Sequence, residues 1–103
     1  MTDILEAHAS LVARILDGEG WAPRSQRKAA YDNAGLKEPL DAFVDKIATH
    51  CSDITDGDFN GLRAAGLTED QVFEIAVCSA VGQAARQYQR ALRALEAAAQ
   101  EDR

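Results

Sequence analysis

The chain has 103 residues, 47% of them apolar, and a net charge of −6. That length makes one domain, and the apolar share excludes a disordered chain. The acidic balance argues against nucleic acid as a partner, and no apolar run approaches the roughly 18 residues that a membrane span needs.

Aromatics are scarce and alanine is abundant, which favours closely packed helices over sheets. Two cysteines and no signal peptide point to reduced thiols in a cytoplasm. A domain this short has a thin core, and a partner subunit would enlarge it.

Asp3 opens the first predicted helix, with Glu6 at the reciprocal capping-box position. Ile4, Leu5, His8, Leu11, Val12, Ile15 and Leu16 then recur at helical intervals and make one apolar face. On such a face His8 is expected to be a hydrogen-bonded core histidine. Asp17-Gly18 and Gly20 stop the helix, and Trp21-Ala22-Pro23 forms a turn in which Trp21 plugs a gap between elements. A short helix follows over about 25–33, with Ala29, Ala30 and Tyr31 as its buried side and Gly35 as its close.

Pro39 suits the first turn of the next helix. There Leu40, Phe43, Val44, Ile47, Ala48 and Cys51 follow the i, i+3, i+4, i+7 rule. Thr55 caps a brief helix by bonding the backbone near Asp58, and Asp56 and Asp58 sit where the helix dipole favours negative charge. Phe59, Leu62 and Ala65 face inward, and Gly66 ends it.

Thr68 and Gln71 have capping-box spacing at the start of the last helix. Val72, Phe73, Ala76, Val77, Ala80, Val81, Ala84, Tyr88, Ala91, Leu92 and Leu95 make a continuous stripe along it. If it runs to Gln100 it is about 50 Å long, against a radius of gyration near 13 Å for a compact chain of this size. The helix therefore overshoots its domain, bends near Gly82 or frays. An overshooting end that carries Tyr88, Leu92 and Leu95 needs a partner, and a second copy is the simplest one. Arg86, Arg90 and Arg93 share one face of it and read as a solvated face or a subunit contact.

The stretch from Ile47 to Gln71, IATHCSDITDGDFNGLRAAGLTEDQ, runs helix end, acidic turn, helix and capped helix without a gap. It resembles the carboxymuconolactone decarboxylase-like and alkylhydroperoxidase-D-like family over about 40–95. The resemblance implies an all-α domain of five to six helices with a long C-terminal helix at a subunit interface, assembled as a homo-oligomer. The family's peroxidase branch carries C-x-x-C-x-x-x-H in this frame, with a glutamate upstream. Here the frame reads Cys51, Ile54, Asp58, and Pro39 stands about where the glutamate would fall, beside Glu38. Ile54 cannot resolve a sulfenate, and a carboxylate at Asp58 would raise a thiol pKa where a histidinium lowers it.

Two functions are open at this point. The first is a non-peroxidase member acting as an oligomeric binding or accessory module for a small molecule or a protein. The second is a cofactor-free acid–base enzyme on a small organic acid, or a single-cysteine redox protein using Cys51. The candidate residues for the second are Cys51, Asp58, His50 and Glu74. Against it, Cys51 fits equally as a packed small hydrophobe on the stripe of Phe43 and Ile47. His50 is adjacent to Cys51, but successive helical side chains point about 100° apart. Cys78 is expected to be a buried structural thiol, since a bridge to Cys51 needs geometry that chance rarely supplies.

No cofactor or metal is implied. Asp56, Asp58, Asn60 and Gly61 spell the opening of a calcium loop, yet Arg63 and Leu67 stand where an apolar residue and a bidentate Glu belong.

Overall fold

The buried side of the last helix, packed across the second, organises this structure, a computed structural model that describes residues 2–101, with side chains from Glu6 to Glu101. Among the described residues the chain forms α1 (Thr2–Asp17), α2 (Arg24–Asp32), α3 (Leu40–Thr49), a 3-10 turn (Cys51–Asp53), α4 (Asp56–Ala64) and α5 (Glu69–Glu101). The architecture is all-α with a long C-terminal helix. The expected Asp3 cap and the burial of Ile4 and Leu5 lie outside the described side chains.

The ends of these helices follow local chemistry. In α4, Thr55 and Asp58 form a reciprocal capping box. In α5, Thr68 N–H donates to Gln71 at 2.9 Å, and Gln71 N–H donates back to the Thr68 hydroxyl at 3.2 Å. Asn33 takes the left-handed conformation at the end of α2 (φ 52°), which turns Ala34 N–H back to the Ala29 carbonyl at 3.1 Å. Gly66 (φ +94°) does the equivalent after α4, where a β-carbon would be strained.

The core is small. Leu62, Ile75, Val44, Cys78 and Ser79 are its largest fully buried side chains. Phe43, Leu40, Val72, Ala22 and Ala30 surround them. Ser79 satisfies its buried hydroxyl on the Val44 carbonyl at 3.4 Å. Where α2 crosses α5, the contact is backbone on backbone. A β-carbon on Gly82 would collide with the Tyr31 carbonyl oxygen and lie 2.7 Å from its carbon. Arg86 reaches over the same crossing and donates to that carbonyl.

α5 spans 33 residues without a break, about 50 Å at 1.5 Å per residue. The molecule measures 57 × 29 × 21 Å with a radius of gyration of 16.0 Å. From Gln87 to Glu101 every residue except half-buried Leu92 is exposed, so the helix does overshoot.

Several sequence expectations are corrected. The buried residues of α5 are Val72, Ile75, Cys78, Ser79, Gly82 and Ala85, whereas Phe73 is 70% exposed. Of the predicted stripe, Val72 and Ala76 pack on the core and Val77, Val81 and Leu92 are half-buried, while Phe73, Ala80, Ala84, Tyr88, Ala91 and Leu95 lie exposed on the outer side. Apolar periodicity alone selects that stripe. The inner face is instead chosen by size, because Gly82 and Ala85 admit α2 closely. Trp21 plugs no gap and is 69% exposed, because Glu74 fixes its backbone and leaves the indole outside. His8 is exposed, as is every residue from Glu6 to Leu11, and half-burial first occurs among the described side chains at Val12. Ala65 is exposed, and Phe59, half out of the core, meets Phe43 edge-on with ring centroids 5.7 Å apart. Arg27, whose position in a polar helix carries no burial signal, is only 4% exposed.

Candidate functional site

Of the four residues with chemical potential, His50 and Asp58 line one groove, Cys51 stands in an exposed turn and Glu74 lies apart. α3 ends at Thr49, so His50 and Cys51 leave the helical stripe. Cys51 is exposed in the 3-10 turn and is not a packed hydrophobe. His50 caps α3, exposed, with Nδ1 2.9 Å from the Thr49 hydroxyl. It lines an α3–α4 groove of about 570 Å³ together with Phe43, Lys46, Asp53 and Asp58.

Asp58 is bonded through one carboxylate oxygen in that groove. Its Oδ2 accepts from Thr55 N–H at 2.8 Å and from Lys46 Nζ at 2.9 Å. Those bonds, the Thr55 backbone first and Lys46 next, hold its carboxyl below the ordinary 3.8. A general base gains from a pKa raised toward neutrality, so both the bonding and the shift run against that duty.

Glu74 lies on another side of the molecule. Its carboxylate accepts Trp21 N–H at 2.8 Å to each oxygen and Ala22 N–H at 2.7 Å. Gly20 permits this close approach, since a β-carbon there would sit 2.7 Å from Glu74 Oε1. Beside it, Arg27 donates Nε to the Ala22 carbonyl at 3.1 Å and Nη1 to the Ile15 carbonyl at 3.0 Å. Glu74, on α5, thus holds N–H groups of the α1–α2 connection, while Arg27, on α2, holds one carbonyl of that connection and one of α1. Cys78 shares the small cleft of about 240 Å³ at this seam. Burial raises its thiol pKa above the usual 9.0, a rise that nearby Arg27 opposes and Glu74 adds to, which suits an inert thiol.

Cys51, Asp58 and Glu74 therefore share no cavity among the described residues. Both thiols are free. Asp56, Asp58, Asn60 and Gly61 lie within α4 itself, so the calcium-like spelling encodes a helix start.

The prominent remaining surface is the outer side of α5. Phe73, Ala80, Ala84, Tyr88, Ala91 and Leu95 are exposed along it, with Tyr88 at 47% and Leu95 at 69%. At its N-terminal end it meets a groove of about 560 Å³ lined by Phe59, Arg63, Asp70, Val72, Phe73 and Ala76. No helix among the described residues is long and apolar enough to cross a membrane. Comparison with family models, with curated proteins and with solved structures returns no match.

Proposed function

We propose that this chain is a non-enzymatic helical interaction module whose working surface is the outer side of α5. A single observation carries this reading. Phe73, Tyr88 and Leu95 of the longest helix face away from the chain's own core. Exposed apolar continuity of that kind marks association surfaces in soluble proteins. The alternative of acid–base or thiol chemistry finds Cys51 and Glu74 outside the groove that His50 and Asp58 share, with Asp58 bonded to Thr55 and Lys46 and Glu74 to two backbone N–H groups. The resemblance to the carboxymuconolactone decarboxylase-like and alkylhydroperoxidase-D-like family enters this reading as a helical frame without the thiol relay.

Hydroperoxide consumption in the presence of a thiol reductant tests it, with wild type and Cys51→Ser run side by side. No turnover above buffer is expected from either. Turnover in the wild type that disappears in Cys51→Ser would overturn the module reading in favour of a one-cysteine redox protein.

A further inference from the structure

Resting on that reading, we infer that the occupant of the outer face is a second copy of this chain, paired antiparallel along α5 about Ala84. The face has an internal period. Phe73, Ala84 and Leu95 are spaced eleven residues apart, as are Val77 and Tyr88, and Ala80 and Ala91. Eleven residues make about three helical turns, so these positions stay in line on a nearly straight helix. On a 3.6-residue helix the strip from Phe73 to Ala99 contains no charged residue. The flanking charges, Glu74 and Arg90, lie to its sides, and Arg86 and Arg93 lie at its back.

The order of side-chain sizes is what identifies the occupant. Turning a copy end for end about Ala84 sets Ala84 against Ala84, Ala80 against Tyr88, Val77 against Ala91, and Phe73 against Leu95. In the inner pairs each bulky side chain meets a small one, and the largest pair closes the two ends. That is the self-complementarity of an isologous two-fold interface. A parallel pair in register would instead stack Tyr88 on Tyr88 and leave the alanine layers empty.

The area fits the same arrangement. The strip is about 40 Å long and a helix is about 10 Å across, giving roughly 800 Å² in total, short of the ~1,000 Å² expected of a specific interface. The antiparallel pair adds the remainder at its ends. There the overshooting segment, with Ala94, Leu95 and Ala98, reaches the other copy's groove between Phe59 and Phe73. A membrane surface is a poorer occupant, since the chain is acidic overall and the arginines of α5 point away from the strip.

The test combines mass with cross-linking in full-length protein carrying Cys51→Ser. Light scattering at micromolar concentration should give about twice 11.1 kDa. Under mild oxidation, a mixture of Val77→Cys and Ala91→Cys proteins should form a disulfide-linked pair between unlike chains. Ala80→Cys alone should not, because antiparallel copies hold those positions about 12 Å apart along the axis, beyond disulfide reach. Tyr88→Glu should weaken self-association roughly tenfold or more, since its carboxylate would lose water against the partner's Ala80 without gaining a donor. Its helix content should be unchanged. A wild-type monomer, a trimer or larger species, or self-linking of Ala80→Cys would each overturn the antiparallel pair. A monomer would leave the module reading standing, to be decided by the peroxide comparison.

Discussion

Alanine at Gly82 tests the crossing that decides which side of α5 faces out. In an exposed helix, glycine to alanine gains about 1 kcal/mol, because alanine loses less backbone freedom on folding. At Gly82 the new methyl would meet the Tyr31 carbonyl group, with its carbon 2.7 Å and its Cα 2.9 Å away. These are backbone atoms, and Tyr31 lies inside the turn that Asn33 N–H closes on the Ala30 carbonyl and Ala34 N–H closes on the Ala29 carbonyl. Arg86 holds the same carbonyl from above. No rotamer change relieves the clash, so the cost belongs at the upper end of the ~1–3 kcal/mol seen for overpacking. Subtracting the helix gain leaves a net loss of about 2 kcal/mol. In a domain of this size that lowers the melting temperature by roughly 8–16 °C. Gly61→Ala in α4 is the control, since a β-carbon there would meet nothing within 4 Å. That variant should gain up to about 1 kcal/mol. Urea unfolding followed by far-ultraviolet circular dichroism, at matched low protein concentration so that association does not enter, measures both. If Gly82→Ala matches or exceeds wild type, α2 does not press on Gly82. α5 would then be rotated about its axis, and the outer strip would lose its claim to be a free surface.

Acid should weaken the α3–α4 pairing through Asp58. Its folded pKa lies below the ordinary 3.8, so its stabilisation is present in full above 3.8 and is lost as pH falls through the folded value. Asp58→Asn should flatten the acid limb of a stability–pH curve below about pH 4, and an unchanged limb would contradict the Thr55 and Lys46 contacts. Thr55→Ala should cost about 1 kcal/mol as the loss of a helix cap, read as a lower urea midpoint. An aromatic disulfide reagent should modify one thiol quickly, the exposed Cys51, and reach Cys78 only on unfolding. Two fast thiols would contradict the packing of α1 over Cys78. Arg27→Ala should cost about 2–3 kcal/mol, because it strands the Ile15 and Ala22 carbonyls and opens a void, while Arg27→Met should recover part of that by filling the space.

What is legible in the sequence is mostly what short-range chemistry decides. Thr55 with Asp58, and Thr68 with Gln71, announce helix starts because a side chain three residues away completes each cap. Leu40, Phe43 and Val44 read correctly because α3 has only one apolar side. Periodicity fails where two answers are locally equal. α5 is apolar on both its inner and outer sides, and hydrophobic periodicity ranks them by side-chain size. The inner side is settled by the Gly82–Tyr31 approach, which joins residues far apart in the chain. Glu74 and Arg27 escape for the same reason. Their partners are backbone groups of Ile15, Trp21 and Ala22, and backbone groups leave no residue-type signature. Cys51 falls outside the core because α3 stops at Thr49, before its stripe is exhausted.

The two apolar sides of α5 together explain the composition of the helix. A helix with one buried side can fill the other with lysine and glutamate, which supply solubility and i, i+4 pairs. α5 instead gives its inner side to Val72, Ile75 and then the small residues Cys78, Ser79, Gly82 and Ala85, and its outer side to Phe73, Tyr88 and Leu95. Arg93 lies on the prolongation of the inner side and Arg90 beside it, where the body has already ended. Past Arg86 the inner side thus presents charge where the core would have been, while the exposed apolar groups of the outer side continue unchanged. A lone chain gains nothing from that continuation, since Leu95 is 69% exposed. An antiparallel copy supplies what is missing at both ends at once, because the segment that overshoots one body lies over the groove beside Phe73 of the other. Polar substitution at Leu95 should therefore leave the unfolding midpoint of the dilute chain unchanged while it lowers the association constant. A midpoint that falls with Leu95→Ser under dissociating conditions would mean that the overshooting segment packs within its own chain.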